Sequence, residues 1–192
     1  MRIGVNVPNF GAGSDLGVLR DWAQIVEGLG FDCLMVSDHV AITPDVAERY
    51  PAPFYEPFTT LAWLADYRGG PVPVWIGGNS AAAIRRAIKL GDAWHPLRFT
   101  LPWLRSMLSS HSVPVLAPRT ALRLSASPAS GPTRLAGVGT VEQVMADLEE
   151  LRLLGADTVL LDPYNGDPAE TSRPQEAWRA LATVAAHRRQ AA

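Results

Sequence analysis

The sequence predicts an α/β domain, a parallel βα repeat of about six strands. Three observations carry this. The first is a recurring junction in which a glycine ends one element and an apolar run begins: Leu29-Gly30-Phe31-Asp32 before Cys33 to Val36, Leu90-Gly91-Asp92 before Ala93-Trp94-His95, and Leu154-Gly155-Ala156-Asp157 before Thr158 to Leu161. Glycine readily takes the left-handed position that closes a helix. The second is spacing. The three glycines stand 61 and 64 residues apart, and one βα unit takes about 30 residues, so each interval holds two units. The third is that the strands read as continuous apolar runs, which suits strands covered on both faces.

Element by element, a strand is expected over 2–8. A helix follows over 15–29, with Leu16, Leu19, Trp22, Val26 and Leu29 at helical spacing and Ser14 as N-cap. Further strands fall at 33–38, 72–77 and 92–95, with a helix over 81–90 between the last two. The stretch from Ser109 to Arg134 is rich in Ser, Pro and Thr and takes one strand, at 120–127. Thr140-Val141-Glu142-Gln143 is a capping-box pattern opening a helix over 141–154. A strand at 157–162 precedes a last helix, which starts near Pro174 and ends in His187-Arg188-Arg189, cations suited to a helix C-terminus.

Composition narrows the function classes. The chain has 192 residues, is 47% hydrophobic and 19% charged, and carries a net charge of −2. No apolar run reaches the roughly 18 residues of a membrane span. Sixteen of its seventeen basic residues are Arg, without a basic block, so a nucleic-acid partner is not expected. The single cysteine, Cys33, excludes an internal disulfide, and the four histidines lack metal-ligand spacing, so no metal is expected. GxSxG, GxGxxG and Walker patterns are absent. Without a secretory pattern at Met1-Arg2, the expected compartment is the cytoplasm.

Several segments, in order, resemble the bacterial luciferase-like flavin enzymes, and most nearly their coenzyme F420-dependent branch. They are Gly4-Val5-Asn6-Val7-Pro8, Val36-Ser37-Asp38-His39, Phe58-Thr59-Thr60-Leu61, Trp75-Ile76-Gly77-Gly78-Asn79-Ser80, Gly91-Asp92-Ala93-Trp94-His95-Pro96 and Leu161-Asp162-Pro163. The resemblance spans nearly the whole chain and implies a (β/α)8, TIM-type barrel in one domain over 1–192. Such barrels take about 250 residues. This chain passes from Ala65-Asp66-Tyr67-Arg68 directly to Gly69-Gly70-Pro71, so two βα units are missing near 66–71, leaving a barrel truncated to about six strands. Such a wall is narrow and leaves edges for a second copy to cover, which makes a homodimer the expected state.

The resemblance also implies site residues. Asp38 and His39 end the second strand, on the face where such barrels place chemistry. His39 would handle the proton that accompanies hydride transfer, and Asp38 would face the cofactor and orient His39; a loop-capping Asp beside a solvated His is the plainer alternative. Gly77, Gly78, Asn79 and Ser80 would bind the cofactor's phosphate, since glycines admit an anion close to backbone and the following helix offers unpaired N–H groups. The plainer role is a tight turn with Asn79 or Ser80 as N-cap. His95 is a further strand-end candidate, and Asn6 and Asn9 flank the mouth of strand one. The implied function is an oxidoreductase using F420, with FMN as the alternative, for hydride transfer to or monooxygenation of a small organic substrate. The competing readings are a flavin- or phosphate-ligand-binding protein without turnover, and a dimeric structural remnant that holds no cofactor.

Overall fold

The computed structural model describes residues 1–11, 13–37, 74–164 and 167–191, together with Pro44, Glu48, Tyr55 and Thr60. The chain is α/β, with parallel sheets and five α-helices among the described residues. The strands are β1 (Arg2–Asn6), β2 (Cys33–Met35), β3 (Trp75–Gly77), β4 (Ala93–His95), β5 (Val115–Leu116), β6 (Arg119–Ala121), β7 (Arg123–Leu124), β8 (Val138–Gly139) and β9 (Thr158–Asp162). The helices are α1 (Leu16–Gly28), α2 (Ala81–Leu90), α3 (Leu101–Ser110), α4 (Val141–Leu153) and α5 (Pro174–Ala191), with a short 3-10 helix at Pro168–Ser172.

One sheet runs β2-β1-β9-β6 and a second β3-β4-β5, while β7 and β8 form a small pair; every ladder is parallel. The two larger sheets meet along one broken strand. β5 and β6 are separated by Ala117-Pro118, where proline removes a donor. Leu116 bridges to Ala156 and Leu97 to Arg119, so the wall continues as β2, β1, β9, β5/β6, β4, β3. Among the described residues no ladder joins β2 to β3, and no closed barrel is formed. The shortened stretch near 66–71 lies outside the described residues.

Alternation along the strands sorts the two faces. Ile3, Val5, Val159, Leu161, Trp94 and Leu116 join the helix-side core with Leu19, Trp22, Val26, Leu148, Leu181 and Val184. The opposite, inner face carries Gly4, whose missing Cβ would stand 2.4 Å from Cys33 Sγ and 2.6 Å from Leu160. Only glycine fits there. At the strand starts the inner face lines a cavity of about 370 Å³ with Arg2, Cys33, Met35, Trp75, Thr158 and Leu160.

Several expectations need correcting. The strand expected at 120–127 begins earlier, as β5 and β6, and continues into β7. The N-cap of α1 is Asp15, which accepts from the Val18 amide, while Ser14 donates its hydroxyl to the Phe10 carbonyl. Gly30 and Gly155 are left-handed (φ +78° and +85°), but Gly91 is extended at φ −106°. Gly91 is required for space, with Ile76 and the Ala87 carbonyl 3.1–3.2 Å from where its Cβ would lie. The Thr140/Gln143 capping box and the start of the last helix at Pro174 are as expected.

Candidate functional site

In a parallel wall every strand delivers its last inner residue to the same end, so the C-terminal edge collects side chains that are remote in sequence. Here that edge is polar. Asn6 ends β1, Ser37 follows β2, His95 ends β4, Arg119 opens β6 and Asp162 ends β9. Asn6, His95 and Asp162 are buried, at 4%, 7% and 1% exposure. The Arg119 guanidinium links three strands: Nε lies 3.4 Å from Asp162 Oδ2, and Nη1 donates to Ser37 Oγ at 3.3 Å. Ser37 in turn reaches Asn6 Oδ1 at 3.5 Å. Asp162 also accepts the Tyr164 amide through Oδ1 at 3.1 Å, which fixes the carboxylate.

His95 is the chemically most defined member. Its Nδ1 meets the Ala117 carbonyl, so Nδ1 carries the proton and Nε2 presents a lone pair. That Nε2 is buried and has no hydrogen-bond partner. Burial pushes the imidazole pKa down to about 4, opposed by the Ala117 hydrogen bond and helped by the positive charge of Arg119. At neutral pH His95 is therefore an uncharged acceptor. Its ring stacks at a tilt on Trp75, 5.9 Å between centroids.

The turn Gly77–Ser80 sits against this edge. Gly78 donates its amide to the His95 carbonyl at 3.2 Å, and its own carbonyl accepts the Trp94 indole N–H at 2.9 Å. Asn79 is bound on both sides of its amide to the Leu97 backbone, at 2.6 and 2.9 Å, which pins the turn to the segment bridging Arg119. Ser80 caps α2 by accepting from the Ala83 amide. Asn79 is thus a brace and Ser80 the N-cap. Gly78 has φ +120°, and a Cβ on it would press on Ala83 at 3.1 Å, so backbone is exposed where a side chain would intrude. Of the first-turn amides of α2, those of Ala81 and Ala82 then remain available to an anion, since Ala83 donates to Ser80.

The other candidates fall into place or outside. Asp38 and His39 lie outside the described residues. Asn9 is structural: its Nδ2 donates to the carbonyls of Ser37 (2.9 Å) and Tyr55 (2.8 Å), and its carbonyl accepts the Tyr55 amide. Trp22 and Trp178 pack edge-on in the core, as their helical spacing suggests. Burial pushes the Cys33 thiol pKa up, which favours the protonated, less nucleophilic form. No cluster of three His, Cys, Asp or Glu able to hold a metal occurs among the described residues, and no helix there is long and apolar enough to cross a membrane. Arg119 and Asp162 are the residues that motif reading misses. Asp162 is visible only as a strand-end Asp-Pro, and Arg119 is hidden by the misplaced strand.

No protein-family model matches the chain, and neither does any curated protein.

Proposed function

We propose that the chain is a luciferase-like oxidoreductase built as a truncated (β/α)8 barrel in a single domain, cytoplasmic and homodimeric. It binds coenzyme F420, or FMN in its place, and acts by hydride transfer or monooxygenation on a small organic substrate. The observation that carries this reading is the convergence of Asn6, His95, Arg119 and Asp162 with the Gly77–Ser80 turn on one edge of the wall.

The residues present fit the phosphate end of either cofactor: the Ala81 and Ala82 amides in the first turn of α2 suit a phosphate, beside Gly78, whose own amide is held by the His95 carbonyl. The bound cofactor supplies the hydride chemistry, and the protein supplies orientation and electrostatics. Arg119, held by Asp162, offers donors at the mouth, and His95 Nε2 accepts an N–H or O–H from whatever lies against it. His39, oriented by Asp38, moves the proton that accompanies hydride transfer; this role comes from the resemblance.

The test is the absorption spectrum of the purified chain after incubation with F420 and with FMN. Retention of either chromophore is expected, and Ala81→Pro, which removes a first-turn N–H at a position a helix tolerates, should weaken it while leaving the circular dichroism unchanged. Retention of neither by the unaltered protein discards the reading. If a cofactor binds, His39→Ala should keep it and lose substrate reduction; unchanged turnover removes His39 from the mechanism.

One observation favours a second reading. The edges of β2 and β3, which no ladder covers among the described residues, suit a protein that holds a flavin or another phosphate-bearing ligand without turnover. Cofactor retention without reoxidation by any added substrate supports that reading.

A further inference from the structure

We propose that a groove outside the wall, between the end of the sheet and α5, binds a small organic anion, independently of the cofactor reading above. The groove encloses about 330 Å³ and lies beside Leu122–Leu124, Pro163 and Tyr164, the segments that leave β6 and β9. Its far side is one face of α5, on which Ala177, Ala180 and Thr183 recur at helical spacing. Leu122 and the two alanines give it an apolar floor. Three arginines, Arg123, Arg173 and Arg179, stand around it against two carboxylates, Glu170 and Glu176.

The pairing among these charges is unequal. Arg123 is compensated: its guanidinium contacts Glu170 and donates to the Tyr164 carbonyl at 3.5 Å. Arg173 only approaches Glu176, at 3.5 Å, with both side chains about 60% exposed. Exposed pairs of that kind contribute little and exchange readily. Arg179 has no ion pair among the described residues. The rim therefore holds one more positive charge than negative, on guanidiniums whose forked donors match an oxyanion. An oxyanion head on Arg173 and Arg179, with a short apolar body on Leu122, Ala177 and Ala180, satisfies both the charge and the floor. The interior polar cluster does not share this demand, because Arg119 and Asp162 there already neutralise each other.

The experiment is a titration of the full chain with butyl phosphate, followed by backbone ¹H–¹⁵N NMR at constant ionic strength, with inorganic phosphate as the head alone. Saturable shifts are expected at Leu122–Leu124, Arg173 and Ala177–Thr183, with inorganic phosphate about tenfold weaker for lack of the buried alkyl chain. Arg173→Glu with Arg179→Glu, both at exposed positions, should weaken binding at least about tenfold. Ala180→Trp, which fills the floor without altering charge, should do the same. Shifts confined to Gly78–Ala82 overturn this proposal while supporting the phosphate turn of the cofactor reading. Absence of saturation, or binding indifferent to all three substitutions, overturns it outright.

Discussion

At the scale of single residues, His95 and Arg119 carry the clearest consequences of burial. The His95 pKa falls from 6.5 to about 4 on folding. Between those values the unfolded chain takes a proton that the folded chain refuses. Its contribution to stability is complete above about pH 6.5 and is lost as pH falls towards 4. Urea unfolding at pH 7 and 4.5 should show the wild type losing roughly 2–3 kcal/mol more than His95→Gln over that window. An imidazole that titrates near 6.5 by NMR would contradict the buried, neutral assignment. Arg119 faces a carboxylate whose side chain is 2% exposed. Arg119→Ala leaves that charge buried and unpaired, a loss of about 3–5 kcal/mol. Adding Asp162→Asn to the same protein should recover a large part of it. A double variant no more stable than the single would show that the two residues do not act as a pair.

At the scale of elements, α4 is attached to the β7–β8 end by one buried carboxylate. Asp147, 3% exposed, accepts from both Nη atoms of Arg134 and from the Gly137 amide at 2.8 Å. Asp147→Ala should destabilise the chain by about 3–5 kcal/mol in chemical denaturation, and a loss under about 1 kcal/mol would contradict the attachment. Elements with strong local signals were legible from sequence: the Thr140 box, the Pro174 start and the apolar runs of β1 and β9 all declare themselves within a few residues. The junction glycines marked the right places but concealed two reasons. Gly30 and Gly155 answer to backbone conformation, whereas Gly91 answers to the crowding of Ile76. β5 and β6 were illegible because Ala117-Pro118 splits them into pieces too short to show a period, and Arg119 was lost with them. The Arg119–Asp162–Ser37 contact could not be read locally. It exists only because three strands distant in sequence end together.

At the scale of the whole molecule, most of the exposed large apolar side chains among the described residues stand on one side, Leu16 at the start of α1 being the exception. Val74 and Val115, at or just before strand starts, and Ile88, Leu90 and Leu153, in the last turns of α2 and α4 or just after, are all exposed. Strand starts and helix ends share one side of a parallel βα layer, so these residues gather opposite the polar edge. Together with the edges of β2 and β3, which no ladder covers among the described residues, they argue for association of two copies. Size-exclusion chromatography with light scattering should give a dimer that Leu90→Glu with Leu153→Glu weakens. A monomer at every concentration would discard it.

The pairing of β1 with β9 also determines how the chain meets the ribosome. Arg2 and Asp157, which join the two strands at their starts, are 155 residues apart. At 5–20 residues per second, the first strand waits roughly 10–30 s for its central neighbour to be made. During that interval β1 has only β2 beside it, and the apolar side of Ile3, Val5 and Val7 with the buried stripe of α1 lacks the rest of the wall. The apolar side of β1 therefore stays uncovered by β9 until the last sixth of the chain is made.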